Sequence, residues 1–164
     1  MNSIPIPLLS AGVSALIAVT TFLILHFFIE PYKEKKRRKF DRLHNLYSPL
    51  YALIISRAYL FETFNVTSKS PVVLGSIKDH EFLTKEFTDK LMFDKSAYAS
   101  TELLDAWGKY VSSIVKTPDE VVERFVKVAV KDYNELKKQL GMDYDKEEYK
   151  TGLPKNIRIR ASKL

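Results

Sequence analysis

From Leu8 to Ile29 the chain reads LLSAGVSALIAVTTFLILHFFI, 22 residues without Asp, Glu, Lys or Arg. A helix of that length spans about 33 Å, enough for a hydrocarbon core of about 30 Å. A core helix so long and so apolar does not suit a domain this small, so the stretch is predicted to be a transmembrane helix. Pro5 and Pro7 precede it, where proline costs a helix least. Phe27, Phe28 and Tyr32 mark its exit, as interfacial aromatics do.

The order of charges sets the topology. A secretory signal peptide carries its cations before a shorter apolar core. Here residues 1–7 hold no charged side chain and the cations follow the run, so an uncleaved signal-anchor is expected. Lys and Arg beside a span stay on the cytoplasmic side, which puts residues 1–7 outside the cell (plasma or inner) membrane and residues 31–164 of this single-pass chain in the cytoplasm. His26, inside the span, is read as a neutral imidazole reaching the headgroups rather than a proton relay. Ser10, Ala11, Ser14, Ala15 and Ala18 recur at helical spacing and would allow two spans to pack closely, so a homo-oligomer is possible.

The net charge of +6 is concentrated at two places. Residues 31–42 hold Lys33, Lys35, Lys36, Arg37, Arg38, Lys39 and Arg42 against two acids; residues 150–164 hold five cations and no acid; the 107 residues between have 14 cations and 17 acids. That distribution suits anionic lipid headgroups and makes nucleic acid an unlikely partner. The seven juxtamembrane cations are the predicted membrane-surface site.

Beyond the span the expectation is all-α: one transmembrane helix continuing into a helical bundle of three to four helices. Five glycines in 164 residues, with long tracts free of Gly and Pro, disfavour a turn-rich β fold. Residues 30–47 are expected to form a basic helical stalk, 48–141 the bundle and 142–164 a loosely held basic tail. Ser48-Pro49 reads as a helix start or a kink. Leu43, Tyr47, Leu50, Ile54, Ala58 and Phe61 recur at steps of three or four, a core-facing stripe. Residues 66–78 read as a loop, Asp79–Met92 as holding a short helix, and 97–115 as a helix burying Leu104, Trp107, Val111 and Ile114. Thr117-Pro118-Asp119-Glu120 reads as a capping box. The helix behind it carries the stripe Val122, Phe125, Ala129, Tyr133, Leu136 and Leu140, ended by Gly141.

Catalytic signatures are scarce. The sequence has no cysteine, no G-x-G-x-x-G and no Walker A loop, and its three histidines leave little for a metal site. Asp143-Tyr144-Asp145 begins like a calcium loop, but Glu148 stands where Gly is needed and Pro154 where a bidentate Glu is needed. No cofactor and no metal are expected. The aromatic stripe reads as core rather than as a ligand cavity, and RLHNLYSPLYALI has the look of a motif without a function attached.

Arg38 and His44, separated by five residues on a predicted helix, are similar to the R-x4–6-H motif of HEPN-type ribonucleases. The resemblance would imply a dimer that brings two such motifs together to cleave RNA. The terminal Ser162-Lys163-Leu164 spells a peroxisomal import address, a signal for soluble matrix proteins and so read as coincidental beside a membrane span. The leading expectation is a non-catalytic, membrane-anchored module for protein–protein interaction or assembly, with an unknown protein partner. The alternatives are a ribonuclease using Arg38 and His44 and a sensor of anionic lipid.

Overall fold

The computed structural model describes residues 6–63, 72, 74, 81–113 and 117–161. The chain divides into two compact units, residues 1–38 and 39–164. Among the described residues every regular element is helical, in the order α1 (Ile6–Ile24), a π turn (Leu25–Ile29), α2 (Glu30–Arg42), a second π turn (Leu43–Tyr47), α3 (Ser48–Thr63), α4 (Lys85–Asp94), α5 (Thr101–Val111), α6 (Asp119–Gln139), α7 (Lys146–Thr151) and α8 (Lys155–Ala161), with short 3-10 turns at Glu81–Leu83 and Ser96–Tyr98. The all-α bundle read from the sequence is therefore present. The loop expected over 66–78, apart from Val72 and Leu74, the side chains of Ser10, Ala11 and Phe61, Ile114 and the Ser162-Lys163-Leu164 terminus lie outside what is described.

The two π turns have one physical cause. Pro31 and Pro49 each lack an N–H, and each ring would strike the carbonyl four residues back, at Phe27 and Asn45. The helix widens just ahead of each ring. Glu30 N–H donates to the Leu25 carbonyl and Ser48 N–H to the Leu43 carbonyl, five residues back. Ser48 has helical dihedrals (φ −67°, ψ −50°), so Ser48-Pro49 neither caps a new helix nor ends the old one. A proline inside a helix is absorbed here by a π turn.

In the first unit the described apolar side chains, from Val13 onward, are exposed. One helix is long and apolar enough to cross a membrane; its most apolar 18 residues have a mean hydropathy of 2.0, with 0% of them buried. Leu16 is 69% exposed, Phe22 63% and Phe28 73%.

The second unit encloses the core. Leu43, Tyr47, Leu50, Ile54 and Ala58 present the stripe foreseen along the first helices, joined by Leu46, and pack with Met92, Leu103, Tyr110, Phe125, Val126, Ala129 and Val130. α6 is central, touching α3, α5, α7 and the second π turn. Its expected stripe holds: Phe125, Ala129 and Leu136 are buried, with Val122, Tyr133 and Leu140 packed on the rim.

Three local readings change. The core face of α5 is Leu103, Ala106 and Tyr110, while Leu104 and Trp107 are half-buried and Val111 is exposed. The face is rotated by about one residue, because the Trp107 indole turns aside to donate Nε1–H to Asp89 Oδ1 at 3.2 Å. The capping box does not form: α6 starts at Asp119 behind Pro118 without a side-chain cap. Its C-terminus follows the Schellman pattern, with Gly141 at φ +73°, Met142 N–H donating to Lys137 O at 2.9 Å and Gly141 N–H to Lys138 O at 3.1 Å.

The third change concerns residues 142–164, expected as a basic tail. Their described part forms α7 and α8, with Glu148 and Ile157 buried. Asp145 caps α7, accepting from Glu147 N and Glu148 N. Gly152, in the left-handed conformation at φ +73°, lets the α7–α8 turn lie directly on the Lys127 backbone.

Candidate functional site

The seven predicted membrane-surface cations divide by what they touch. In the second unit, Arg42 is half-buried and committed: Nε donates to the Tyr98 carbonyl at 2.9 Å and Nη2 to the Tyr47 hydroxyl at 3.5 Å, with the guanidinium over the Tyr47 ring. Lys39 is half-buried. It adds to the field on Glu135, whose carboxyl is held below its ordinary value first by hydrogen bonds from Gln139 and Tyr149.

In the first unit, Glu34 gathers both arginines. Its Oε2 lies 2.9 Å from Arg37 Nη2 and its Oε1 3.1 Å from Arg38 Nε. The Arg38 hydrogen bond, aided by Arg37, keeps the Glu34 carboxyl below the ordinary carboxylate value. Glu30 in turn meets His26, Oε2 to Nδ1 at 2.8 Å. Among the described residues no acid lies within ion-pair distance of Lys33, Lys35 or Lys36, and all three are exposed.

Arg38 and His44, the pair resembling a ribonuclease motif, fall in different units. Arg38 is 75% exposed and bound to Glu34. His44 is exposed, its ring stacked on Phe40 at 6.0 Å between centroids.

The second unit contains two polar networks, both rooted in the RLHNLYSPLYALI stretch. In the first, the Tyr47 hydroxyl donates to Asp132 Oδ2 at 2.9 Å and accepts from Ser100 N at 2.9 Å. Ser100 Oγ donates to the same Asp132 oxygen at 2.6 Å and accepts from Leu103 N, capping α5. In the second, Tyr51 stacks on Tyr133 at 4.1 Å and donates to the buried carboxylate of Glu148 at 2.6 Å. Glu148 also accepts from Lys155 N–H at 3.0 Å, and Asn134 Nδ2 approaches it at 3.5 Å. Burial first, and then the neighbouring carboxylates, raise both tyrosines above the ordinary phenol value. A phenol that resists ionisation is a poor nucleophile. Both networks tie helices together.

Sequence reasoning missed Ser100, Asp132, Asn134 and Glu148. For Asn134 the available signal was periodicity, since it follows the buried Val130 by about one helical turn; Tyr47 and Tyr51, four residues apart, put polar tips inside an apolar stripe. A cleft of about 220 Å³ between α5 and α6, lined by Glu102, Arg124, Lys127, Val128, Lys131 and Asp132, holds both signs of charge. Arg124 is paired with Asp105 and Lys127 with Glu123. Among the described residues no group of three or more His, Cys, Asp or Glu could hold a metal ion.

Comparisons with protein-family models, with curated proteins and with solved structures find no match for this chain.

Proposed function

We propose that this chain is a membrane-anchored helical module that works without catalysis, as a protein-interaction or assembly component on the inner face of a cell membrane. The observation that carries the reading is the uncovered apolar helix of residues 13–29, with exposed Leu16, Ile17, Phe22, Phe27 and Phe28 around its circumference. A side chain such as Leu or Phe gains about 1.5–3 kcal/mol on leaving water, and a helix apolar all round needs hydrocarbon on every side. The cations beyond Ile29 support the inner face, by the rule that orients single spans.

The interaction role is supported by how the bundle uses its polar groups. Tyr47, Tyr51, Asp132 and Glu148 serve packing, and Arg42 is tied to the same network. What is left for recognition is the helical surface.

Two measurements test the reading in native membranes. The chain should resist alkaline carbonate extraction, and protease should reach the bundle only in inverted vesicles. Chemical crosslinking followed by purification in mild detergent should recover a second protein or a homo-oligomer. Recovery of the lone monomer in repeated trials would count against an assembly role. RNA cleavage by the full chain, abolished by His44→Ala, would replace that role with the ribonuclease reading.

A further inference from the structure

The anchor reading leaves open which cations meet the membrane surface, and the ion pairs of α2 answer it. We propose that Lys33, Lys35 and Lys36, and not the whole run of seven cations, form a binding site for anionic phospholipid headgroups; the proposal rests on the anchor reading above.

Three independent observations agree. The first is availability. Arg42 is engaged within the helical bundle, Lys39 is half-buried, and Arg37 and Arg38 are engaged by Glu34, whereas Lys33, Lys35 and Lys36 are exposed and meet no acid among the described residues.

The second is direction. At about 100° per residue, the three lysines span an arc of roughly 160° on α2, with Tyr32 inside it. Tyr32 is 71% exposed, and an exposed tyrosine at a span's end suits the headgroup layer. Glu34 stands nearly opposite the middle of that arc, with Glu30, Arg37 and Arg38 on its side. The helix is thus divided into an unpaired Lys–Tyr face and a self-neutralised Glu–Arg face.

The third is height. Counting from Ile29, Lys33 to Lys36 rise about 6–10 Å along the axis, while the headgroup layer is about 5–8 Å thick on each side. Lysine's long stem reaches that layer. Arg37 and Arg38 stand higher, about 12–14 Å up, and Glu34 holds both on its side of the helix. Of the two acids near the headgroups, Glu34 is paired with Arg37 and Arg38, which limits its repulsion of anionic lipid.

The test compares two neighbouring pairs with the same change of charge, K35Q/K36Q and R37Q/R38Q. The full chain is reconstituted into nanodiscs of phosphatidylcholine containing a minor fraction of phosphatidylglycerol. It is then extracted in mild detergent, and the lipids it retains are counted by native mass spectrometry. The wild type should be enriched in phosphatidylglycerol. At about fivefold per surface lysine, K35Q/K36Q should weaken that preference by roughly 25-fold, and R37Q/R38Q by less than fivefold. Equal losses in the two variants would mean that net charge alone decides, and would overturn the assignment. So would a wild-type chain that stays in the bilayer without any preference. A chain that leaves the bilayer in alkaline carbonate fails the anchor itself, a result read before any lipid is counted. RNA oligonucleotides bound through Lys35 and Lys36 without lipid preference would assign the lysines to nucleic acid instead.

Discussion

The Tyr51 hydroxyl donates to the buried Glu148 carboxylate at 2.6 Å across 97 positions of sequence, joining the third helix to the seventh. A buried carboxylate stripped of one donor keeps its desolvation cost, typically about 1–3 kcal/mol and more for a charged group. Tyr51→Phe retains the ring stacked on Tyr133 and deletes only that donor, so it should destabilise the bundle by about 2 kcal/mol. Glu148→Leu should cost more, since it leaves the Tyr51 hydroxyl and the Lys155 N–H without their acceptor. Trp107, the only tryptophan, lies at the α4–α5 contact, and its fluorescence during urea titration of the detergent-solubilised chain reports both. A Tyr51→Phe chain as stable as the wild type would show that the bond contributes nothing net.

Alkali should act through the same phenols. Tyr47, Tyr51 and Tyr133 are all raised above the ordinary value of 10.0, in each case chiefly by burial. The folded chain therefore holds these protons more tightly than the unfolded chain. Their stabilising contribution is complete below pH 10 and is lost as pH rises beyond it, while the unfolded tyrosines ionise. Melting temperature should fall steeply above about pH 10. The fall should be shallower in Tyr51→Phe, whose loss at neutral pH has already occurred. A wild-type profile flat to pH 11 would contradict the sign.

The apolar span, the Leu43–Ala58 stripe, the α6 stripe and the Gly141 stop were legible because each depends on spacing within one helix. The face of α5 was misread by one position, because Leu103 and Leu104 are equally apolar. Only the Trp107–Asp89 bond and the packing of Tyr110 on Phe125 decide between them. Residues 142–161 looked like a tail because short helices carry little periodicity; their placement depends on Glu148 finding Tyr51, a partner far away in sequence. The division of the basic run was hidden for a similar reason. Arg42 differs from Lys35 only in having Tyr98 and Tyr47 within reach, and composition cannot register that.

Two glycines with the same dihedral offer a controlled comparison. Gly141 and Gly152 both have φ +73°, but a Cβ at Gly141 would meet nothing within 4 Å, whereas at Gly152 it would lie 2.8 Å from Lys127 O and 2.9 Å from Lys127 Cα. Gly141→Ala should therefore cost only the left-handed conformation, about 1 kcal/mol. Gly152→Ala adds a backbone clash that a flexible side chain cannot absorb, so a loss of at least about 3 kcal/mol is expected, with α7 and α8 lifted from α6. Hydrogen exchange at Glu148 N–H and Lys155 N–H would register that release. Equal losses at the two positions would mean that the turn after α7 does not lie on the Lys127 backbone.

The Ser100–Asp132–Tyr47 network makes a prediction about coupling. Ser100→Ala removes both the α5 cap and one donor to Asp132, for a loss of about 1–2 kcal/mol. Asp132→Ala leaves the Tyr47 and Ser100 hydroxyls without their acceptor, for about 1–3 kcal/mol. The two changes delete one shared bond, Ser100 Oγ to Asp132 Oδ2 at 2.6 Å, so the double variant should lose less than the sum of the singles. A coupling of about 0.5–1.5 kcal/mol is expected from such contacts. Asp132→Ala combined with the distant Gly141→Ala should be additive within about 0.5 kcal/mol. If the Ser100 and Asp132 losses simply add, Asp132 is not the joint that holds the α5 cap to α6, and Tyr47 alone connects them.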